Sequence, residues 1–238
     1  MTSLPTGCCR LYAADVTPLC DAAVFRALYE TVPDERRRAV DRLRPDADKR
    51  RSLGAGVLLN KALSDAGLDP ACLTIARTEA GKPYLPDCPG VHISLSHAGD
   101  VVLCAVAGAP VGCDAEIIDP RRVRVAARCF APEENALIDA AVTPHDRAVL
   151  FTRLWVLKES FLKVTGRGLS LPMSSFRFVL LPGCRPVLVQ TYDDFDYVCH
   201  EFAPADLCGC GYRYACVVRA GDGAPEPPVC RTVPLVSS

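Results

Sequence analysis

Two carboxylates stand two residues apart in the run Val111-Gly112-Cys113-Asp114-Ala115-Glu116. The run reads as a β-strand, where residues i and i+2 project from one face, so Asp114 and Glu116 can offer oxygens to a single hard cation. Magnesium takes one or two protein carboxylates and fills its octahedron with water and substrate phosphate, and a third carboxylate nearby would complete such a site. Glu159 supplies one in Trp155-Val156-Leu157-Lys158-Glu159-Ser160-Phe161-Leu162-Lys163. There Glu159 and Lys163 are four apart, one above the other on a helix, and charges in so apolar a helix are costly without a role. Ser94-Leu95-Ser96-His97 ends a strand and enters the turn Ala98-Gly99-Asp100, whose donors could meet a phosphate. Arg77-Thr78-Glu79-Ala80-Gly81-Lys82-Pro83 makes a second loop with a positive tip. Singly, each pattern has an ordinary explanation: a solvated strand face, a surface ion pair, a histidine capping a turn.

The elements that must hold these residues can be read from periodicity. Arg10 to Val16 alternates like a strand, and Leu19 to Val32 reads as a short helix punctuated by Pro33. Leu53, Val57, Leu58 and Leu63 mark an amphipathic helix from Asp46 to Ala66, stopped by Gly67 and Pro70. Strand-like runs follow at Cys72 to Arg77, Val91 to Ser96, Val101 to Ala107 and Val111 to Ile118. A helical arginine-rich segment is expected near Val123 to Cys129, and Pro132 sits where a first-turn proline belongs, opening a helix to about Ala141. Thr143-Pro144-His145-Asp146 starts another, which carries Leu150, Phe151, Leu154, Trp155, Leu157, Phe161 and Leu162 and ends at Gly166. Four strands are expected to close the chain, at Ser175 to Leu181, Pro186 to Tyr192, Tyr197 to Ala203 and Gly211 to Arg219, with Gly221 to Pro228 as a loop. The fold class is therefore α+β: two similar α/β halves, 1–110 and 111–238, packed as a pseudo-dimer.

Composition narrows the class further. With 238 residues, half of them hydrophobic, the chain can build one substantial core or two small ones in contact. It has no apolar run of about 18 residues to span a membrane, and Met1 to Arg10 lacks the order of a signal peptide. A cytoplasmic, membrane-free protein is the expectation. The 14 cysteines are scattered through apolar runs and read mostly as small hydrophobes. The group Cys199, His200, Cys208, Cys210 and Cys216 lacks the C-x-x-C knuckles of a zinc site. A formal charge of −1 hides a basic stretch with Arg36, Arg37, Arg38, Arg42, Arg44, Lys49, Arg50 and Arg51. No nucleic-acid signature accompanies it, so a small phosphate ligand or an acidic partner is expected there, and not nucleic acid.

Taken together and in this order, the motifs resemble the Sfp-type family of 4′-phosphopantetheinyl transferases, named from the surfactin system. The G-x-D-x-E strand and the W-x-x-K-E-S-x-x-K helix, followed by Gly166-Arg167-Gly168-Leu169-Ser170, carry the resemblance, which runs from about Asp46 to Pro172. It implies that the chain moves the phosphopantetheine arm of coenzyme A to a serine of an apo acyl or peptidyl carrier protein, as a monomer, with Mg2+. It further implies that Asp114, Glu116 and Glu159 bind the metal and that Lys163 contacts the phosphates. Arg51 and His97 would hold the 3′-phosphate, Arg77 and Lys82 would flank the adenine end, and Ser96 would touch the nucleotide. In an F-x-x-x-E segment, here Phe130-Ala131-Pro132-Glu133-Glu134, Glu134 would help to deprotonate the incoming serine, with Glu133 beside it in register. Two rivals stay in view: a serine acyl-enzyme with Lys163 activating Ser160, which needs S-D-N and K-T-G partners that the sequence lacks, and a non-catalytic nucleotide- or anion-binding module.

Overall fold

The computed structural model describes residues 4–5, 7–202, 208, 211–221 and 228–235. The first half contains β1 (Cys9–Asp15), α1 (Ala22–Tyr29), α2 (Asp34–Asp41) and α3 (Asp46–Asp65). A two-stranded hairpin of β2 (Ala76–Arg77) and β3 (Pro83–Tyr84) follows, then β4 (His92–Ala98) and β5 (Val101–Ala107). The second half contains β6 (Val111–Ile117), α4 (Ala126–Cys129), α5 (Pro132–Asp139), α6 (Pro144–Thr165), β7 (Arg177–Val179), β8 (Val187–Val189), β9 (Tyr197–Phe202) and β10 (Tyr212–Arg219). The chain returns in β11 (Val229–Thr232).

Two sheets face each other between two long helices. The first has strand order β11-β1-β5-β4 and the second β6-β10-β9. Alternation along β1 explains the layering: Tyr12 and Ala14 join the core under α3, whereas Cys9, Leu11 and Ala13 point into the layer between the sheets. That inner layer is filled by small residues such as Ala105, Ala107, Cys113, Ala115 and Cys216, which let the sheets approach closely. On the far side, Leu154, Leu157 and Phe161 of α6 pack on Ala215 and Val217 of β10. The order of layers is α3, first sheet, second sheet, α6. This is the expected α+β arrangement of two helix-on-sheet halves.

Local chemistry fixes the ends of α6. Thr143 Oγ1 accepts from Asp146 N (3.0 Å) and the Asp146 carboxylate accepts from Thr143 N (3.3 Å), a reciprocal cap that satisfies orphan donors at the first turn. Gly166 ends the helix in the left-handed conformation (φ 71°).

Three expectations are corrected. The region Leu19 to Val32 is divided into a 3₁₀ turn at Thr17–Cys20 and α1, because Asp21 caps a new helix by accepting from Ala23 N and Val24 N. The division at 110/111 does not hold at the far end of the chain, since β11 lies parallel to β1 in the first half's sheet, Arg10 opposite Val229. The cysteines are less uniformly interior than their apolar neighbours suggest: Cys104, Cys113, Cys199 and Cys216 are buried, but Cys20, Cys72 and Cys184 are exposed. Within the zinc group, Cys210 lies outside the described residues, as do Ala203 at the end of its expected strand and 222–227 of the expected loop. Among the described residues no group of three His, Cys, Asp or Glu is poised around a metal, and no helix is long and apolar enough to cross a membrane.

Candidate active site

The two sheets meet along β4 and β6 through side chains instead of a backbone ladder. Ser94 Oγ accepts from Cys113 N (3.0 Å), and Ser96 Oγ donates to Asp114 Oδ1 (2.6 Å) while accepting from Ala115 N (3.4 Å). The alternating serines of Ser94-Leu95-Ser96 thus answer the alternating residues of the G-x-D-x-E strand.

Gly112 explains how α6 comes so close to that strand. A Cβ there would overlap the Ser160 carbonyl oxygen and lie 2.6 Å from Val164 N, both backbone atoms of α6. With no side chain at 112, the helix lies directly on the strand and brings Lys163 to the next residue on the same face. Lys163 Nζ donates to Asp114 Oδ1 (2.7 Å) and to the carbonyls of Cys113 (3.0 Å) and Leu95 (3.4 Å). Burial alone would depress the Lys163 ammonium, but the Asp114 carboxylate reverses the sign and holds it above the ordinary lysine value.

Glu116, third on that face, pairs with Arg122 and accepts from its neighbour Ile117 N (3.0 Å). Glu159 makes no hydrogen bond or ion pair among the described residues. Its carboxyl is pushed above the usual carboxylate range by burial and by Asp114, with Lys163 pulling down, Glu116 pushing up and Arg122 pulling down by smaller amounts. Three carboxylates therefore lie within electrostatic reach of one another, and two of them are balanced by Lys163 and Arg122. Their all-oxygen chemistry suits a hard dication, but with Asp114 on Lys163 and Glu116 on Arg122 the three are not gathered into a ligand set.

Beside the carboxylates opens a cavity of about 570 Å³, lined from both halves. Glu159, Leu162, Lys163, Gly166 and Gly168 come from the second half, and Arg36, Asp48, Ser52, Arg77, Lys82, Ser96 and His97 from the first. Lys82 crosses the seam, its ammonium donating to the carbonyls of Val111 and Val164 (3.2 Å each), and burial pushes it down to about 8. His97, exposed at the rim, is held below the ordinary histidine value by desolvation and by the cations Arg51 and Lys163. Arg77 donates to Gly81 O (2.9 Å) within its own hairpin loop.

Some sequence-predicted residues fall elsewhere. Arg51 does not line the cavity: its guanidinium pairs with Asp48 and donates to Gly99 O (2.9 Å). Arg36 takes the place expected of it, lying across Gly56, where a Cβ would come within 2.8 Å of its Cγ. A glycine inside the apolar pattern of α3 was the available signal of such close passage.

Glu134 is the clearest correction. It is 2 % exposed, with Oε2 on Lys158 Nζ (2.8 Å) and Ala131 N (2.9 Å) and Oε1 on Phe178 N (2.8 Å). A carboxylate so enclosed and so fully engaged has no access to an incoming hydroxyl. Glu133, next to it, is exposed and pairs with Arg177 (3.6 Å). The acyl-enzyme rival fails on the same ground, since Ser160 is wholly buried and donates to Ala215 O (3.2 Å).

Comparison with known proteins gives the family. Residues 110–216 match the family model described as the 4′-phosphopantetheinyl transferase superfamily, and residues 20–109 match 4′-phosphopantetheinyl transferase, N-terminal. A 4′-phosphopantetheinyl transferase of Bacillus subtilis is 38% identical over 173 residues, covering 68% of this chain and 77% of its own length. The chain belongs to the 4′-phosphopantetheinyl transferase family. The transferase Sfp of Bacillus subtilis strain 168 is 35% identical over 199 residues, 76% of this chain and 88% of Sfp. Among solved structures, the holo-[acyl-carrier-protein] synthase of Thermotoga maritima is similar over 47% of this chain and 62% of that one, with a TM-score of 0.37 and 24% identity. In this 4′-phosphopantetheinyl transferase the cavity lies at the seam of the halves, with Glu159 and Lys163 in its lining and Asp114 held against Lys163.

Proposed function

We propose that the enzyme transfers the 4′-phosphopantetheine arm of coenzyme A to a serine hydroxyl of an apo acyl or peptidyl carrier protein, releasing adenosine 3′,5′-bisphosphate. We propose further that it acts as a monomer in the cytoplasm and that Asp114, Glu116 and Glu159 hold Mg2+. The observation that carries this reading is the cavity at the seam, where Glu159 and Lys163 line one side and Arg36, Arg77 and Lys82 the other, with Asp114 held against Lys163.

When bound, magnesium supplies charge stabilisation at the pyrophosphate. The chain's own groups do the rest. The serine oxygen attacks the β-phosphorus in line, the bond to the nucleotide phosphate breaks, and negative charge grows on the leaving and equatorial oxygens. The Lys163 ammonium, fixed beside Asp114, places positive charge toward that site, and the Ser96 hydroxyl, which donates to Asp114, holds that carboxylate in place. Glu159, which lines the cavity and has no ion-pair partner among the described residues, is the carboxylate placed to receive the serine proton. Intact-mass measurement of an apo carrier protein incubated with the enzyme, coenzyme A and magnesium tests the reading. The expected result is a gain of one phosphopantetheine arm, and an unchanged mass with every carrier class would defeat it.

The nucleotide's 3′-phosphate is assigned to the Arg36 and Arg77 end of the cavity, with His97 at the rim. Because charge-assisted hydrogen bonds contribute about 1.5–3 kcal/mol, Arg36→Ala is expected to weaken coenzyme A binding roughly 10-fold to 100-fold. Arg51→Ala is expected to have a smaller effect, since its guanidinium already serves Asp48 and Gly99. Calorimetric titration with coenzyme A and its 3′-dephospho form decides: the Arg36 variant should bind both alike. A variant that still prefers coenzyme A as strongly as wild type does would move the 3′-phosphate elsewhere.

A further inference from the structure

Behind the cleft, on the side of α6 turned away from the cavity, lies a buried ion pair between Glu134 and Lys158. Lys158 is 0 % exposed and 2.8 Å from Glu134 Oε2. Its ammonium also donates to the carbonyls of Met173 and Phe176 (2.7 Å each), and it lies 4.5 Å from the centroid of the Phe176 ring and 5.4 Å from that of Phe130. All three protons of the ammonium are thereby used. Glu134 in turn accepts from Ala131 N at the start of α5 and from Phe178 N in β7. Three separate segments, α5, α6 and the stretch from Met173 to Phe178, converge on one pair of charges.

We infer that Glu134 and Lys158 act as a positioning pair for the transfer reaction, setting the rotation and axial register of α6 so that Glu159 and Lys163 face the cleft. Lys158 immediately precedes Glu159, and consecutive helical residues point about 100° apart. Anchoring one side of α6 through Lys158 therefore fixes where its neighbour points. The same ammonium ties down the far end of the segment that leaves α6 at Gly166 and lines the cavity at Gly166 and Gly168. A buried pair is a poor source of net stability, but it defines one arrangement, because any slip of the helix leaves a charge unpaired in the interior.

This inference rests on the proposed role of Glu159, and double substitution separates it from the expectation that Glu134 is the base. Glu134→Gln alone leaves the Lys158 ammonium without its counter-ion. Lys158→Met alone leaves the Glu134 carboxylate without its own. Each is expected to lower the thermal midpoint, to slow single-turnover transfer at least 10²-fold at a temperature where circular dichroism shows the variant folded, and to weaken Mn2+ binding measured by calorimetry. The double variant Glu134→Gln/Lys158→Met removes both charges, and the new amide can accept from Phe178 N and donate to a freed carbonyl. Its transfer rate and Mn2+ affinity are expected to return to within about tenfold of wild type. A folded double variant as slow as Glu134→Gln would show that Glu134 is needed for more than its balance with Lys158 and would overturn the inference. Single variants that lose only thermal midpoint, with rate and Mn2+ affinity intact, would reduce the pair to a structural one and overturn it equally. If Glu159→Gln bound Mn2+ as wild type does, the metal reading would fail instead.

Discussion

Glu159→Gln should transfer phosphopantetheine on the order of 10³-fold more slowly than wild type, yet unfold at the same temperature or above it. The first half of that result follows from the place of Glu159 in the cavity lining, where the substitution removes a proposed metal oxygen and the proposed proton acceptor. The second follows from what the carboxylate lacks. It has no hydrogen bond or ion pair among the described residues, and burial first, then Asp114 and Glu116, push its protonation upward. Such a site is held together for its ligand and is under repulsion without it. The sign with pH can be worked out. The folded-state value lies above the ordinary 4.5, so between the two the folded protein binds more protons than the unfolded one, and Glu159's contribution to stability falls as pH rises through that window. Above the window the penalty is complete. Thermal midpoints taken in chelator should therefore differ little between variant and wild type at pH 4, with the variant moving ahead toward neutrality. Transfer by Glu159→Gln at the wild-type rate would remove the helix glutamate from the site.

Gly112→Ala is expected to be nearly as damaging, by a different route. One methyl group at that position would meet the Ser160 carbonyl and Val164 N, neither of which can rotate aside. Overpacking against backbone costs about 1–3 kcal/mol or more, and the helix must shift to relieve it. Urea unfolding should show a loss of about that size. Activity should fall further than the folded fraction does, because the displaced helix carries Glu159 and Lys163. Gly211→Ala is the matched control, since a Cβ there meets nothing within 4 Å. Equal behaviour of the two variants would mean that α6 tolerates displacement from β6.

The comparison between sequence and structure has a physical pattern. The long helices and the strands that carry the motifs were legible because apolar residues recur along them and the helix ends are marked by Thr143, Gly166 and Gly67. The pairing of Asp114 and Glu116 on one face followed from strand geometry alone. What stayed hidden were relations across long stretches of chain. In a linear reading Glu134 is a candidate base and Lys158 has no assigned role, and only the fold, with Lys158 packed against Phe130 and Phe176, makes them an interior pair. Arg36 and Arg51 are alike in the sequence, and their roles are separated by which of them Asp48 and Gly99 engage. Val229 to Thr232 is four residues long, without a hydrophobic alternation of its own, and becomes a strand because β1 offers it an edge.

That last strand bears on how the protein is made. Residues of β1 leave the ribosome early, but the neighbour that completes their sheet is not synthesised until residue 229. Throughout the interval the outer edge of β1 presents unpaired amides and carbonyls, a surface on which a stray strand could pair. The opposite edge is served promptly by β5, so the first half can gather its core around α3 while remaining open on one flank. Final closure awaits the arrival of a segment more than two hundred residues downstream, a loop closure whose entropic cost grows only slowly with length. Vectorial synthesis thus leaves the first sheet half-finished until that segment emerges, and an unpaired strand edge of this kind is where nascent chains are exposed to aggregation.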